Sequence, residues 1–133
     1  MRIPLLFNRI PEPALATVES TEFEFQEIQV VARPIDSFAS EMKAVTFIKV
    51  DIEGHEPSFF SGARTVLLRD RPIVQFEEND MTARATIYRD LAREFRYILC
   101  FLFGSSVRPY AVEAAADDNN FYFVPEEKFS LST

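Results

Sequence analysis

At 133 residues, 47% hydrophobic and 14% aromatic, the chain has the length and apolar material for one domain with a packed core, which excludes a disordered tail. A formal net charge of −7 without any basic cluster argues against nucleic-acid binding through phosphate neutralisation. Cys100 stands alone in an apolar run, so an internal disulfide and a cysteine-rich metal site are excluded and a buried, inert thiol is expected. No apolar run reaches the roughly 18 residues of a membrane span, and residues 1–10 lack the apolar core of a secretion signal; no membrane partner is expected, and a reducing cytoplasm is the expected address.

In chain order, Ile3 to Phe7 is a short apolar piece closed by Asn8, Pro11 and Pro13. Phe23 and Phe25 alternate with Glu22, Glu24 and Gln26, and Ile28 and Val30 resume the alternation after a one-residue slip, which predicts one or two exposed strands with a bulge. The glutamates there read as a solvated face. Pro34 to Phe38 is a punctuated turn in which Asp36 or Ser37 is available to cap a short helix toward Met42.

Val45 to Ile52 is rich in β-branched residues and nearly continuously apolar, the pattern of a strand covered on both faces. Period two puts Phe47, Lys49, Asp51 and Glu53 on one side, and the charges thicken toward the C-terminal end, where Gly54 breaks the strand. Pro57 follows as a first helical residue, and Phe59, Phe60, Ala63, Val66 and Leu67 recur at helical spacing up to the stop at Arg71-Pro72. A second strand, Ile73 to Phe76, runs into another acidic turn, Glu77-Glu78-Asn79-Asp80. Thr82 is a candidate cap for a helix whose stripe is Ile87, Tyr88, Leu91, Ala92 and Phe95. Tyr97 to Phe103 predicts a third strand, Arg108 to Val112 a further extended stretch, and Phe121 to Val124 a last strand before Pro125. Strands alternating with helices predict an α/β fold, a mostly parallel sheet with right-handed crossovers and one antiparallel strand, equivalent to the C-terminal half of a doubly wound sheet.

The run FIKVDIEGHE at Phe47 to Glu56, then Ser61-Gly62-Ala63, then Arg71 to Glu77, all preceded by Pro34-Ile35-Asp36-Ser37-Phe38, resembles the FkbM family of methyltransferases, which typically show an LDSF-like element, then IK-D-EG-E, then L-GA, then P-I--E. The resemblance runs from about Val30 to Pro125. It implies a Rossmann-like (class I methyltransferase) fold over residues 34–133, with residues 1–33 as N-terminal strands and loops. It also implies S-adenosylmethionine as cofactor and a hydroxyl acceptor on a sugar, polyketide or other small molecule. Val45 to Ile52 would be the family's fourth strand, and Ile73 to Glu77, Tyr97 to Phe103 and Phe121 to Val124 its fifth, sixth and seventh. The family's glycine-rich cofactor loop and acidic ribose-binding residue would lie upstream of Met1, since glycine occurs only at 54, 62 and 104. The chain alone is therefore expected to be an incomplete domain that binds the cofactor poorly and is inactive by itself.

Methyl transfer to a hydroxyl needs in-line positioning and an acceptor for the departing proton. His55, the one histidine, and Asp51 are the candidate catalytic residues; the bland readings are a helix-start histidine and a carboxylate that accepts turn N–H groups. Asp51 and Glu53 are the cofactor-side candidates. Glu53, Glu56 and Glu77 are candidates for substrate binding, Glu53 and Glu56 having the competing role of stabilising a helix start. Lys49 shares a face with Asp51, which predicts an ion pair. Asp51, Glu53, His55 and Glu77 can be read as a divalent-metal site, but no metal is assigned. A different functional class is a non-catalytic remnant or interaction module of the same fold, and a strand left at the sheet edge predicts self-association.

Overall fold

The computed structural model describes residues 28–112 and 118–129. The chain divides into two units, Met1–Arg33 and Pro34–Thr133. Of the one or two exposed strands expected from Glu22 to Val30, the part up to Glu27 lies outside the described residues and Ile28 to Val30 form no strand; the second unit carries the sheet.

Five strands build it: β1 (Phe47–Val50), β2 (Ile73–Glu77), β3 (Tyr97–Phe103), β4 (Ser106–Pro109) and β5 (Asn120–Pro125), in the order β1-β2-β5-β3-β4. β1 pairs with β2 in parallel, whereas β2 with β5, β5 with β3 and β3 with β4 are antiparallel. β1, β2 and β3 thus share one direction, and β5 is inserted between β2 and β3 against it. The expectation of a mostly parallel sheet with one antiparallel strand is corrected: two strands run against the other three. The second is β4, which Gly104, at φ 58, turns back along β3. Its four residues are all exposed, so no alternation of burial marks it in the sequence.

The helical layer lies on one face. α1 (Glu56–Ser61), α2 (Arg64–Asp70) and α3 (Met81–Phe95) bring Phe60, Leu67, Ala85, Tyr88, Ala92 and Phe95 against Val50, Val74, Phe76, Leu99, Phe101, Phe121 and Phe123 of the sheet. Phe76 is the hub, stacked on Tyr88 at 4.7 Å between ring centroids and edge-on to Phe60 and Phe123. Fully burying such a side chain contributes about 1.5–3 kcal/mol. Among the described residues no helical layer covers the other face as it would in a doubly wound sheet. There β1 exposes half of Phe47 and leaves Lys49 in solvent, which corrects the reading of a strand covered on both faces. β1 is also four residues long rather than the eight of Val45 to Ile52. Ala44 at φ 48 precedes it, and Glu53 and Gly54 at φ 52 and 93 end the extended chain beyond it.

The helix expected to run unbroken from Pro57 is two helices, interrupted at Gly62. A Cβ at that position would stand 2.7 Å from the Cβ of Pro34, and the Gly62 carbonyl accepts the N–H of Asp36. Asp36 does not cap its own short 3-10 turn, Ile35–Phe38. Its carboxylate instead accepts the N–H groups of Thr65 and Val66 at 2.8 and 3.1 Å, filling the N-terminal donors of α2 from 29 and 30 residues away. α3 begins two residues earlier than Thr82 would set it, because Asp80 is its cap and accepts from Ala83 N. Its buried stripe is Met81, Ala85, Tyr88, Ala92 and Phe95, with Ile87 left half exposed. Cys100 is buried and its thiol is pushed up to about 12 by burial. No helix among the described residues is long and apolar enough to cross a membrane.

Candidate active site

Two parallel neighbours that end at the same sheet edge bring their following turns together. After β1 the chain passes through Glu53 and Gly54 with positive φ at both, a conformation that suits glycine and is uncommon for glutamate. After β2 it enters Glu78-Asn79-Asp80, held by Glu78 N donating to the Asn119 carbonyl and by the Asn119 amide donating to Asn79. Between the two turns lies a cavity of about 290 Å³ lined by Asp51, Glu53, Gly54, Glu56, Glu77, Glu78, Asn79 and Asp80.

The cavity brings together Asp51, Glu53, Glu56 and Glu77, four of the five residues expected at a site. His55 is outside its lining. It is exposed in the turn between Gly54 and Glu56, and its backbone carbonyl accepts from Ser58 and Phe59 at the start of α1. Among the described residues no ion pair joins Lys49 to Asp51, and no group of three histidine, cysteine or carboxylate side chains is arranged to hold a metal ion.

Two carboxylates of the lining are buried, and they differ. Glu78, 6% exposed, accepts from Tyr88 Oη at 2.7 Å, Arg84 Nη1 at 2.9 Å and the Asp80 N–H at 3.1 Å. Burial, then the bond to Glu78, holds the Tyr88 phenol far above its ordinary range, so it remains a donor. Arg84 reaches on to the Gly54 carbonyl at 3.3 Å and so ties the two turns together. Glu56 is 2% exposed; its Oε1 accepts the Ile52 N–H at 3.3 Å, while its Oε2 is buried without a hydrogen-bond partner among the described residues. Sequence reasoning took Glu77 from the second acidic turn and passed over Glu78, Asn79 and Asp80. The available signal was parity: Glu78 falls on the core side with Val74 and Phe76, where a carboxylate requires partners.

A family model described as the methyltransferase FkbM domain matches residues 5–103, well over half of the chain. The chain belongs to the FkbM methyltransferase family. The match begins upstream of Val30, where the resemblance was read to start, and it ends with β3, before β5. No curated protein and no solved structure matches the chain. Within this FkbM domain the cavity stands at the C-terminal ends of β1 and β2, the end of a parallel strand pair where ligands bind in open α/β sheets.

Proposed function

We propose that this FkbM domain methylates a hydroxyl of a small molecule, with S-adenosylmethionine as donor and the acceptor seated in the carboxylate-lined cavity. The observation that carries the reading is the convergence of Asp51, Glu53, Glu56 and Glu77 on that one cavity at the strand ends. S-adenosylmethionine would supply an electrophilic methyl group on a sulfonium, and the residues of this cavity would supply the acceptor side. Asp51 accepts the hydroxyl proton; His55, two residues beyond Glu53 in the exposed turn, is the second candidate for that role. Glu53 and Glu77 orient the acceptor by accepting hydrogen bonds from its other polar groups.

The described residues fit the acceptor side of this chemistry and not a nucleoside cradle. Gly62 is packed on Pro34 and Gly104 turns the β3–β4 hairpin, so Gly54 is the one described glycine at the cavity. Donor binding by the 133-residue chain is accordingly expected to be weak, beyond the millimolar range.

The test is incubation of the protein with methyl-labelled S-adenosylmethionine at millimolar concentration and a panel of hydroxylated small molecules. At micromolar donor the chain alone is expected to transfer no label; transfer driven by the high donor concentration appears in a base-stable ether of a hydroxylated acceptor, and Asp51→Asn lowers its rate by about 10²–10⁴-fold without altering the far-ultraviolet spectrum. Absence of transfer to any hydroxyl under these conditions favours the non-catalytic remnant, and label confined to nitrogen or to base-labile esters rejects the hydroxyl.

A further inference from the structure

Among the described residues the sheet has two free edges, and they are built differently. At one, Gly104 turns β4 back along β3, setting Ser106 beside Phe103 and Arg108 beside Phe101. The Tyr110 N–H donates to the Leu99 carbonyl just beyond, so by the alternation of an antiparallel pair Ser106, Arg108 and Tyr110 turn their backbone groups to β3. Val107 and Pro109 are left facing outward, and Pro109 has no N–H to offer, which blunts this edge.

At the other edge Phe47 stands beside Ile73, and the Ile73 N–H donates to the Thr46 carbonyl. A residue in a parallel pair bonds to the two neighbours of its partner, so Thr46 and Ile48 turn their backbone groups to β2, while Phe47 and Lys49 turn theirs away from the sheet. No described group bonds to them there. β1 carries no proline, and only its length limits the open edge, with positive φ at Ala44 before it and at Glu53 after it. Beside those outward backbone groups Phe47 is 51% exposed and Lys49 is exposed, both on the face that the helices leave open.

We propose that β1 is a self-association edge, at which two copies of the chain pair β1 to β1, antiparallel, about a two-fold axis at Ile48. Parity restricts the choice, because only registers that oppose outward-facing residues make hydrogen bonds. An axis at Lys49 opposes ammonium to ammonium. An axis at Val50 opposes Phe47 to Glu53, where the chain is no longer extended. An axis at Phe47 opposes Lys49 to Val45, whose N–H is already given to Asp70. The axis at Ile48 uses both outward residues of the strand: Phe47 exchanges both backbone bonds with Lys49 of the second copy, and the symmetry repeats the exchange.

The side chains favour the same register. An aromatic ring and an ammonium lie one on each side of Ile48, so the strand is its own complement under a two-fold axis. Each lysine stem lies along a Phe47 ring of the other copy with its charge in solvent. Ile48 meets Ile48 of the second copy on the helix face, where each is already packed against its own core. The contact consumes the same edge in both copies, so assembly closes at two. It is independent of the proposed methyl transfer.

The experiment is sedimentation velocity on the full 133-residue chain over roughly a hundredfold range of concentration, with cysteine cross-linking to read the register. A reversible monomer–dimer equilibrium that stops at the dimer is expected. Lys49→Pro removes an outward N–H that β2 does not use, and weakens the dimer by about tenfold or more while the far-ultraviolet spectrum is retained. Should that variant lose its folded spectrum, Phe47→Lys, which opposes like charges, carries the same expectation, whereas Phe47→Glu, which opposes unlike charges, keeps or tightens the dimer. Under mild oxidation Ile48→Cys gives a disulfide-linked dimer and Lys49→Cys does not, because only position 48 meets itself; the native Cys100 is buried and does not compete. A monomer at every concentration overturns the proposal. So does association that runs past the dimer, which would assign it to the open face of the sheet. Faster cross-linking at position 49 than at 48 overturns the axis, and equal weakening by Phe47→Lys and Phe47→Glu overturns the pairing of Phe47 with Lys49.

Discussion

At the sheet edge where β2 and β3 begin, charge is matched group by group. Arg71 donates to Glu127 through Nε and Nη2 at 2.7 and 2.9 Å, to the carbonyls of Phe95 and Arg96 at 2.6 and 2.8 Å, and lies 4.6 Å over the Tyr97 ring. Arg96 faces Glu126, and Lys128 donates to the Arg71 carbonyl. At the edge where β1 and β2 end, six carboxylates share a cavity with one neighbouring guanidinium, and one buried carboxylate oxygen has no described partner. Both edges close a helix–strand junction, so closure alone does not explain the second. The matched edge is organised for the fold's own stability, and the one-signed edge is where the proposed function seats its acceptor.

The contrast predicts opposite signs for the removal of charge. Arg71→Ala strips donors from two helix-end carbonyls and from Glu127, and should destabilise the protein by about 2–3 kcal/mol in urea unfolding. A loss below half of that would mean that water replaces the guanidinium at the α3 C-terminus, and the matched edge would lose its structural meaning. Tyr88→Phe tests the one satisfied acid of the other edge. Glu78 keeps Arg84 and the Asp80 N–H but loses its shortest donor, for an expected cost of about 1–2 kcal/mol by the same measurement.

How far the sequence carried this picture depends on the range of the interactions involved. Ile73 to Glu77 and Tyr97 to Phe103 were placed within a residue because apolar alternation and the Arg-Pro and Gly-Ser stops are local. The break at Gly62 was not, since its cause is Pro34 packed on it from outside the helix and an Asp36 carboxylate reaching the next helix start. β4 left no periodic signal because neither of its faces is buried. At the site, Asp51, Glu53, Glu56 and Glu77 were legible from strand ends and acidic turns. The burial of Glu56 was not, because an acid at the first position of α1, three residues before Phe59, reads equally well as an exposed helix-start acid. Glu78 is held in the lining by Tyr88 and Arg84, ten and six residues away on α3, which no local pattern in the turn displays.

Glu56→Gln sharpens the comparison from the other side. Removing a charge from a crowded set of carboxylates while keeping the Oε1 acceptor for Ile52 should leave stability unchanged or raise it by about 0.5–1 kcal/mol, as expected where a site holds charge for function at the expense of stability. A loss greater than that would show that Glu56 supports the start of α1 through its bond to the Ile52 N–H.

The smallest effect is in the acid limb of stability. The hydrogen bond from Arg71 is the largest influence on the Glu127 carboxyl and brings it down to about 2 from an ordinary glutamate value. A carboxyl lowered in the folded protein binds its proton more readily in the unfolded chain, so its contribution is fully present above the ordinary carboxylate range and is lost as pH falls from there toward 2. Glu127 is half exposed, and screening keeps the contribution to the scale of a surface pair, about 0.2–1 kcal/mol. Glu127→Gln should therefore lower the urea midpoint slightly at pH 6 and converge with the unsubstituted protein at pH 2, the difference shrinking in high salt. A difference that persists unchanged at pH 2 would assign the effect to lost packing rather than to charge, and the Arg71–Glu127 pair would then contribute nothing through its charges.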